Sequence, residues 1–212
     1  MDHDHDHDHS SCDHQAADTR AGRRLEYFSL TWNVIEAAVS IEVGVKSASI
    51  ALIGFGVDAV IESLSGSVLL WRLQHGHAGE KREAIALRLV GVSFLILAAY
   101  VAFGAGWMLI THEPPEASLI GIVIACLSLS IMPQIARAKR RVAARLNSRA
   151  LEADSRQTQL CAYLSAILLG GLALNAAFGW WWADPVAALI MVPIIAREGI
   201  SALRGEACSE CH

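Results

Sequence analysis

The stretch Ser49–Leu73, SIALIGFGVDAVIESLSGSVLLWRL, restricts this chain more than any other. It is long and apolar enough to cross a bilayer as a helix. It also carries Asp58 and Glu62 near its middle. Residues four apart lie on one helix face, about one turn from each other. Carboxylates in hydrocarbon are costly, and they normally face a protein interior or a water-filled path. A pair of like charges is worse still, and a divalent cation between them removes the repulsion. Asp58 and Glu62 are therefore expected to form half of an intramembrane cation site. A solvated acidic face is the competing reading. The flanks SIALIGFGV and SLSGSVLLW oppose it, being apolar or small all round.

The composition agrees with a membrane protein. Hydrophobic residues make up 54% of the 212 and charged residues 18%, and the mean hydropathy is +0.40. These values exclude an ordinary globular enzyme and predict an all-α, polytopic protein. No basic leader runs into an apolar segment at the N-terminus, so no secretory signal is expected. The five cysteines are Cys12, Cys126, Cys161, Cys208 and Cys211. Three fall in tails and two in apolar runs, which is not a disulfide framework.

Three regions are expected. Residues 1–25 form a disordered Asp/His-rich arm, 26–205 a six-helix transmembrane domain, and 206–212 a short Cys/His tail. Alternating Asp and His cannot build a core. His3, His5, His7 and His9 suit capture of Zn, Ni, Co or Cu. The first span, 26–46, is interrupted by Glu36, Glu42 and Lys46, so it is expected to line something polar. A polar loop with His75 and His77 follows the second span. Further spans are expected at 84–110, 119–138, 158–178 and 184–203. Asp184 and Pro185 should cap and open the last of them. The basic run RAKRRVAARLNSRALEADSRQ is tempting as a nucleic-acid patch. A cytoplasmic loop obeying the positive-inside rule explains it better, with Trp180, Trp181 and Trp182 in the opposite aromatic belt. Both termini are then cytoplasmic, in the expected setting of a bacterial inner membrane. The partners are the bilayer, divalent metal ions and protons, with no nucleic acid.

At this point the residues resemble the cation diffusion facilitator family of divalent-metal/proton antiporters. Lys46–Gly66, KSASIALIGFGVDAVIESLSG, is similar to that family's second helix, with Asp58 and Glu62 on its two ligand positions. Ala150–Cys161, ALEADSRQTQLC, is similar to its fifth helix. Ala153-Asp154 matches there, while the ligand positions fall on Gln157 and Cys161 instead of His and Asp. WADPVAALIMVPIIAREGI resembles the sixth helix. The resemblance implies a site of Asp58, Glu62, Gln157 and Cys161, with Asp154 as a stand-in for Gln157. A thiolate is soft and suits Zn or Cd. The chain looks like a short form without the family's C-terminal cytoplasmic domain. A homodimer is compatible with the family, but that domain usually helps to form it.

The expected function is metal/proton antiport, with zinc the first cargo and cobalt, cadmium or iron others, directed out of the cytoplasm. Divalent metal is substrate, no organic cofactor is expected, and the chain is not an enzyme. His75, His77, Cys208, Cys211 and His212 would gather metal at the inner mouth. The alternative is a non-transporting metal-binding or regulatory membrane protein. A third reading takes Cys208-Ser209-Glu210-Cys211-His212 as a haem-attachment motif. Haem attachment belongs outside the membrane, whereas the charge bias puts this tail inside.

Overall fold

The computed structural model describes residues 6–75, 80–112, 115–116 and 118–204, and only the backbone of 6–16, 72–75, 80–87, 89–90 and 149–150. The described residues form six helices: α1 Asp6–Lys46, α2 Ile50–His75, α3 Glu80–Thr111, α4 Leu119–Leu146, α5 Arg149–Phe178 and α6 Ala183–Arg204. Each is long and apolar enough to span a membrane. The α2 helix is central and touches α1, α3, α5 and α6. Around it α1 packs on α4, α3 on α6, and α4 on α5.

The main core joins Leu52 and Phe55 of α2 to Val101, Met132, Leu168 and Met191. Phe103, Ile110, Leu119 and Phe178 point outward and are exposed. An apolar exterior around a partly polar interior is the arrangement hydrocarbon demands. Close helix approach replaces the hydrophobic drive that lipid removes. A Cβ on Gly56 of α2 would meet the backbone nitrogen of Ile41 at 3.0 Å, so glycine lets α1 and α2 touch.

Three expectations change. Helix α1 begins at Asp6, so most of the stretch expected to lack structure continues the helix. Acidic residues suit a helix N-terminus, and Asp18 is tied to Arg145 of α4 by a 2.9 Å ion pair. The basic run is not a loop either. It forms the end of α4 and the start of α5, joined only by Asn147 and Ser148. Asn147 ends α4 in the left-handed conformation, and the Ser148 hydroxyl accepts from the Leu151 amide. Finally, Asp184 does not cap its own helix. It lies buried in the first turn of α6 and accepts from Ser49 Oγ and, at 3.4 Å, from the Ala51 amide. It thus closes the N-terminus of α2 from across the bundle.

The α3–α6 contact yields a stability prediction. A Cβ on Gly91 would meet Gly199 O at 2.8 Å and the Leu203 amide nitrogen at 3.0 Å. Backbone atoms cannot step aside, so Gly91→Val is expected to cost about 1–3 kcal/mol. Gly106→Val, where nothing lies within 4 Å, is the control. Thermal unfolding in detergent checks this, and equal melting temperatures for the two variants would refute it.

Candidate metal centre

Helix α1 carries its polar residues at spacings of three and four: Glu26, Ser29, Asn33, Glu36 and Ser40. That period keeps them on one face, and all five are at most 2% exposed. They face the bundle interior, where α2 brings Asp58 and Glu62, α4 brings Ser128 and Lys139, and α5 brings Asp154, Thr158 and Cys161. All of these are buried. The other two charges of the first span behave differently. Glu42 and Lys46 pair with each other on the exposed surface at 2.6 Å.

The interior charges divide into two layers. In the first, Lys139 Nζ is surrounded. It donates to Asp154 Oδ2, to Ser29 Oγ at 3.1 Å and to Thr158 Oγ1 at 3.4 Å. It also lies 3.1 Å from Glu26 Oε1 and 3.2 Å from Glu26 Oε2. Asp154, expected as a stand-in ligand, is thus held by a lysine. One ammonium pins α1, α4 and α5 at the end of the bundle near the α4–α5 turn. A separate apolar cluster of Leu69, Val142, Ala143 and Leu151 packs at that same end.

The second layer lacks a countercharge. Asp58 is 6% exposed, and the charges that reach it are those of Glu62, Glu36 and Glu198. Among the described residues no cation or hydrogen-bond donor answers it. Glu36 accepts from Ser128 Oγ at 2.8 Å and from Cys161 Sγ at 3.7 Å. Glu62 links the layers: its Oε1 accepts from Thr158 Oγ1 at 2.9 Å, and its Oε2 is buried without a hydrogen bond.

The expected ligands are therefore brought together in part. Asp58, Glu62 and Cys161 line one interior, with Cys161 touching Glu36. Gln157 is half-buried, and its Nε2 has no partner. Among the described residues no three His, Cys, Asp or Glu side chains converge closely enough to share a metal ion in this conformation. His3, His5, His77, Cys208, Cys211 and His212 lie outside the described residues, and of His7, His9 and His75 only the backbone is described. Sequence reasoning expected the span carrying Glu36 to line something polar without naming Glu36 as a ligand, and it missed Glu26, although the three-four spacing of polar residues on α1 was there to read. It also missed Lys139, hidden among surface arginines.

Six apolar helices around a carboxylate-lined interior define an integral, multi-pass membrane protein. Residues 27–206 match the family described as the cation efflux transmembrane domain, and the chain belongs to that family, the cation diffusion facilitators. It is 30% identical over 129 residues to the cation-efflux pump FieF of Shewanella oneidensis, covering 60% of this chain and 41% of that one. It is 26% identical over 150 residues to an uncharacterized transporter of Synechocystis, covering 66% and 48%. It is also 26% identical over 182 residues to transmembrane protein 163 of Xenopus laevis, covering 84% and 65%. The chain spans about half the length of the first two of these relatives.

Proposed function

We propose that this chain moves divalent cations across a membrane in exchange for protons, with zinc the first cargo and export from the cytoplasm the direction. The observation that carries the reading is Asp58, a buried carboxylate with three acidic neighbours and no countercharge. A protein keeps such a group in its interior when a mobile cation or proton completes it. Belonging to a cation efflux family supports the same reading. So does similarity to a protein named a cation-efflux pump.

The residues divide the work. Asp58 and Glu62 receive the cation, and α5 borders the same interior through Gln157 and Cys161. Protons replace the cation when it leaves. The Lys139 layer closes the end of the bundle near the α4–α5 turn. The positive-inside rule, applied to the basic residues around that turn, supports a cytoplasmic location for this end and both termini. Alternating access requires the layer to part when the site opens inward. Binding without transport is favoured by one observation, that no three donors converge in this conformation. Cation uptake by reconstituted vesicles carrying an interior pH dye, with Zn, Co, Cd, Ni and Fe, separates the two readings. Transport predicts uptake coupled to a pH change. Binding without either would refute transport.

The Asp/His arm and the Cys/His tail are proposed as metal gatherers. Deleting residues 1–14 spares Asp18, which holds Arg145. The deletion is expected to weaken uptake at low metal and leave the maximal rate unchanged. An unaltered concentration dependence would end the gathering role.

A further inference from the structure

Glu36 is the interior carboxylate that the α2 and α5 motifs do not reach. It lies on α1, fully buried, between a hydroxyl of α4 and the thiol of α5. Its position is not that of a structural ion pair, because no lysine or arginine reaches it. Its electrostatic neighbour is Glu62. Two further observations point to a missing partner. Glu62 Oε2 is buried with no hydrogen bond, although Glu62 is only 2% exposed. On the α1 face that carries Glu36, Ser40 Oγ and Asn33 Oδ1 are also buried without partners. An ammonium answers the charges of Glu26 and Asp154 in the Lys139 layer, while among the described residues none contacts Glu36 or Asp58 in this one.

We propose that Glu36 is a third ligand for the transported cation, supplied by α1, and that Cys161 steers Glu36 by donating to it instead of binding the cation. The cation then lies against Asp58, Glu62 and Glu36. To reach it, Glu36 exchanges its Ser128 bond for the metal. Three carboxylates form an oxygen-rich set, which admits Mn alongside Zn more readily than a thiolate-dominated set does. The cargo class is therefore harder than Cys161 as a ligand would imply. This inference rests on the cation-transport reading of the same interior.

The test is equilibrium dialysis of purified full-length protein in detergent against MnCl2, ZnCl2 and CdCl2, with monodispersity by size exclusion as the folding check. Glu36→Gln is expected to weaken each cation by at least about tenfold, the scale seen for lost metal-site groups. Glu36→His is expected to widen the preference for Zn over Mn, because imidazole suits Zn and carboxylate suits Mn. Ser128→Ala, which frees a Glu36 oxygen, should bind at least as tightly as wild type. Cys161→Ser keeps a donor and should retain the wild-type order. If Glu36→Gln does not fold, Glu36→Asp keeps the charge on a shorter arm and must still change the relative affinities of the cations. Equal weakening of all three cations by Glu36→His, with their relative affinities unchanged, would make Glu36 structural and overturn the inference. Wild-type binding lost in Asp58→Asn but kept in Glu36→Gln would overturn this inference alone. No binding by wild type would overturn the cation reading with it.

Discussion

Asp58→Asn is expected to reduce cation uptake to background while leaving the helix bundle as stable as wild type in metal-free buffer. The two halves of this expectation have one cause. Asp58 makes no hydrogen bond or ion pair among the described residues, and its charged neighbours are Glu62, Glu36 and Glu198. Removing its charge takes nothing from the fold and relieves repulsion among like charges. It also takes an anionic ligand from the site. A ligand that binds only the folded protein stabilises it by about 2.7 kcal/mol at one hundred times its dissociation constant. The upward shift in melting temperature caused by the cation in wild type should therefore vanish in Asp58→Asn. Vesicle uptake and thermal unfolding with and without ZnCl2 measure both. Uptake equal to wild type would remove Asp58 from the site. Collapse of the metal-free protein would show that its charge serves the fold.

The bundle was largely legible because six long apolar runs leave few alternatives in a bilayer, where helices satisfy their own backbone groups. Asp58 and Glu62 were legible for the same reason, since two carboxylates inside an apolar run stand out. The ends of the helices were not. Hydropathy finds where a helix enters water and not where it stops. Thus α4 continues to Leu146 and α5 starts at Arg149 through a charged stretch with no hydropathy signal. Lys139 was hidden in the same way. It sits in a run of arginines, and only the fold shows that it alone among the described basic side chains of that run is buried, at 1% exposed. Glu36 and Glu42 stand six apart on one helix, and the pairing of Glu42 with Lys46 on the outer surface separates their roles. The burial of Asp184 against Ser49 follows from packing two helices distant in sequence, which local capping rules do not anticipate.

Lys139→Met is expected to destabilise the protein by about 3–5 kcal/mol, because removing one member of a buried ion pair leaves its partners charged and unpaired. Here the partners are Glu26 and Asp154, both buried, and they belong to different helices. The Ser29 and Thr158 hydroxyls also lose a donor's hydrogen bond. A single side chain thus holds α1, α4 and α5 together. Methionine fills most of the volume of the lysine stem, so a packing defect is a small part of the loss. The decisive comparison is the triple variant Lys139→Met, Glu26→Gln, Asp154→Asn. It removes the three charges together while keeping similar shapes, and it should recover most of the lost stability. Burial shields the pair from salt, so the Lys139→Met deficit should be nearly the same at 0.05 M and 0.5 M NaCl, unlike that of a surface pair such as Glu42–Lys46. Thermal unfolding of both variants in detergent at the two salt concentrations reads the result. A triple variant no more stable than Lys139→Met would mean that lysine packing, and not its charge, joins the three helices. A deficit that disappears in high salt would place the ammonium in water and remove the layer from the interior.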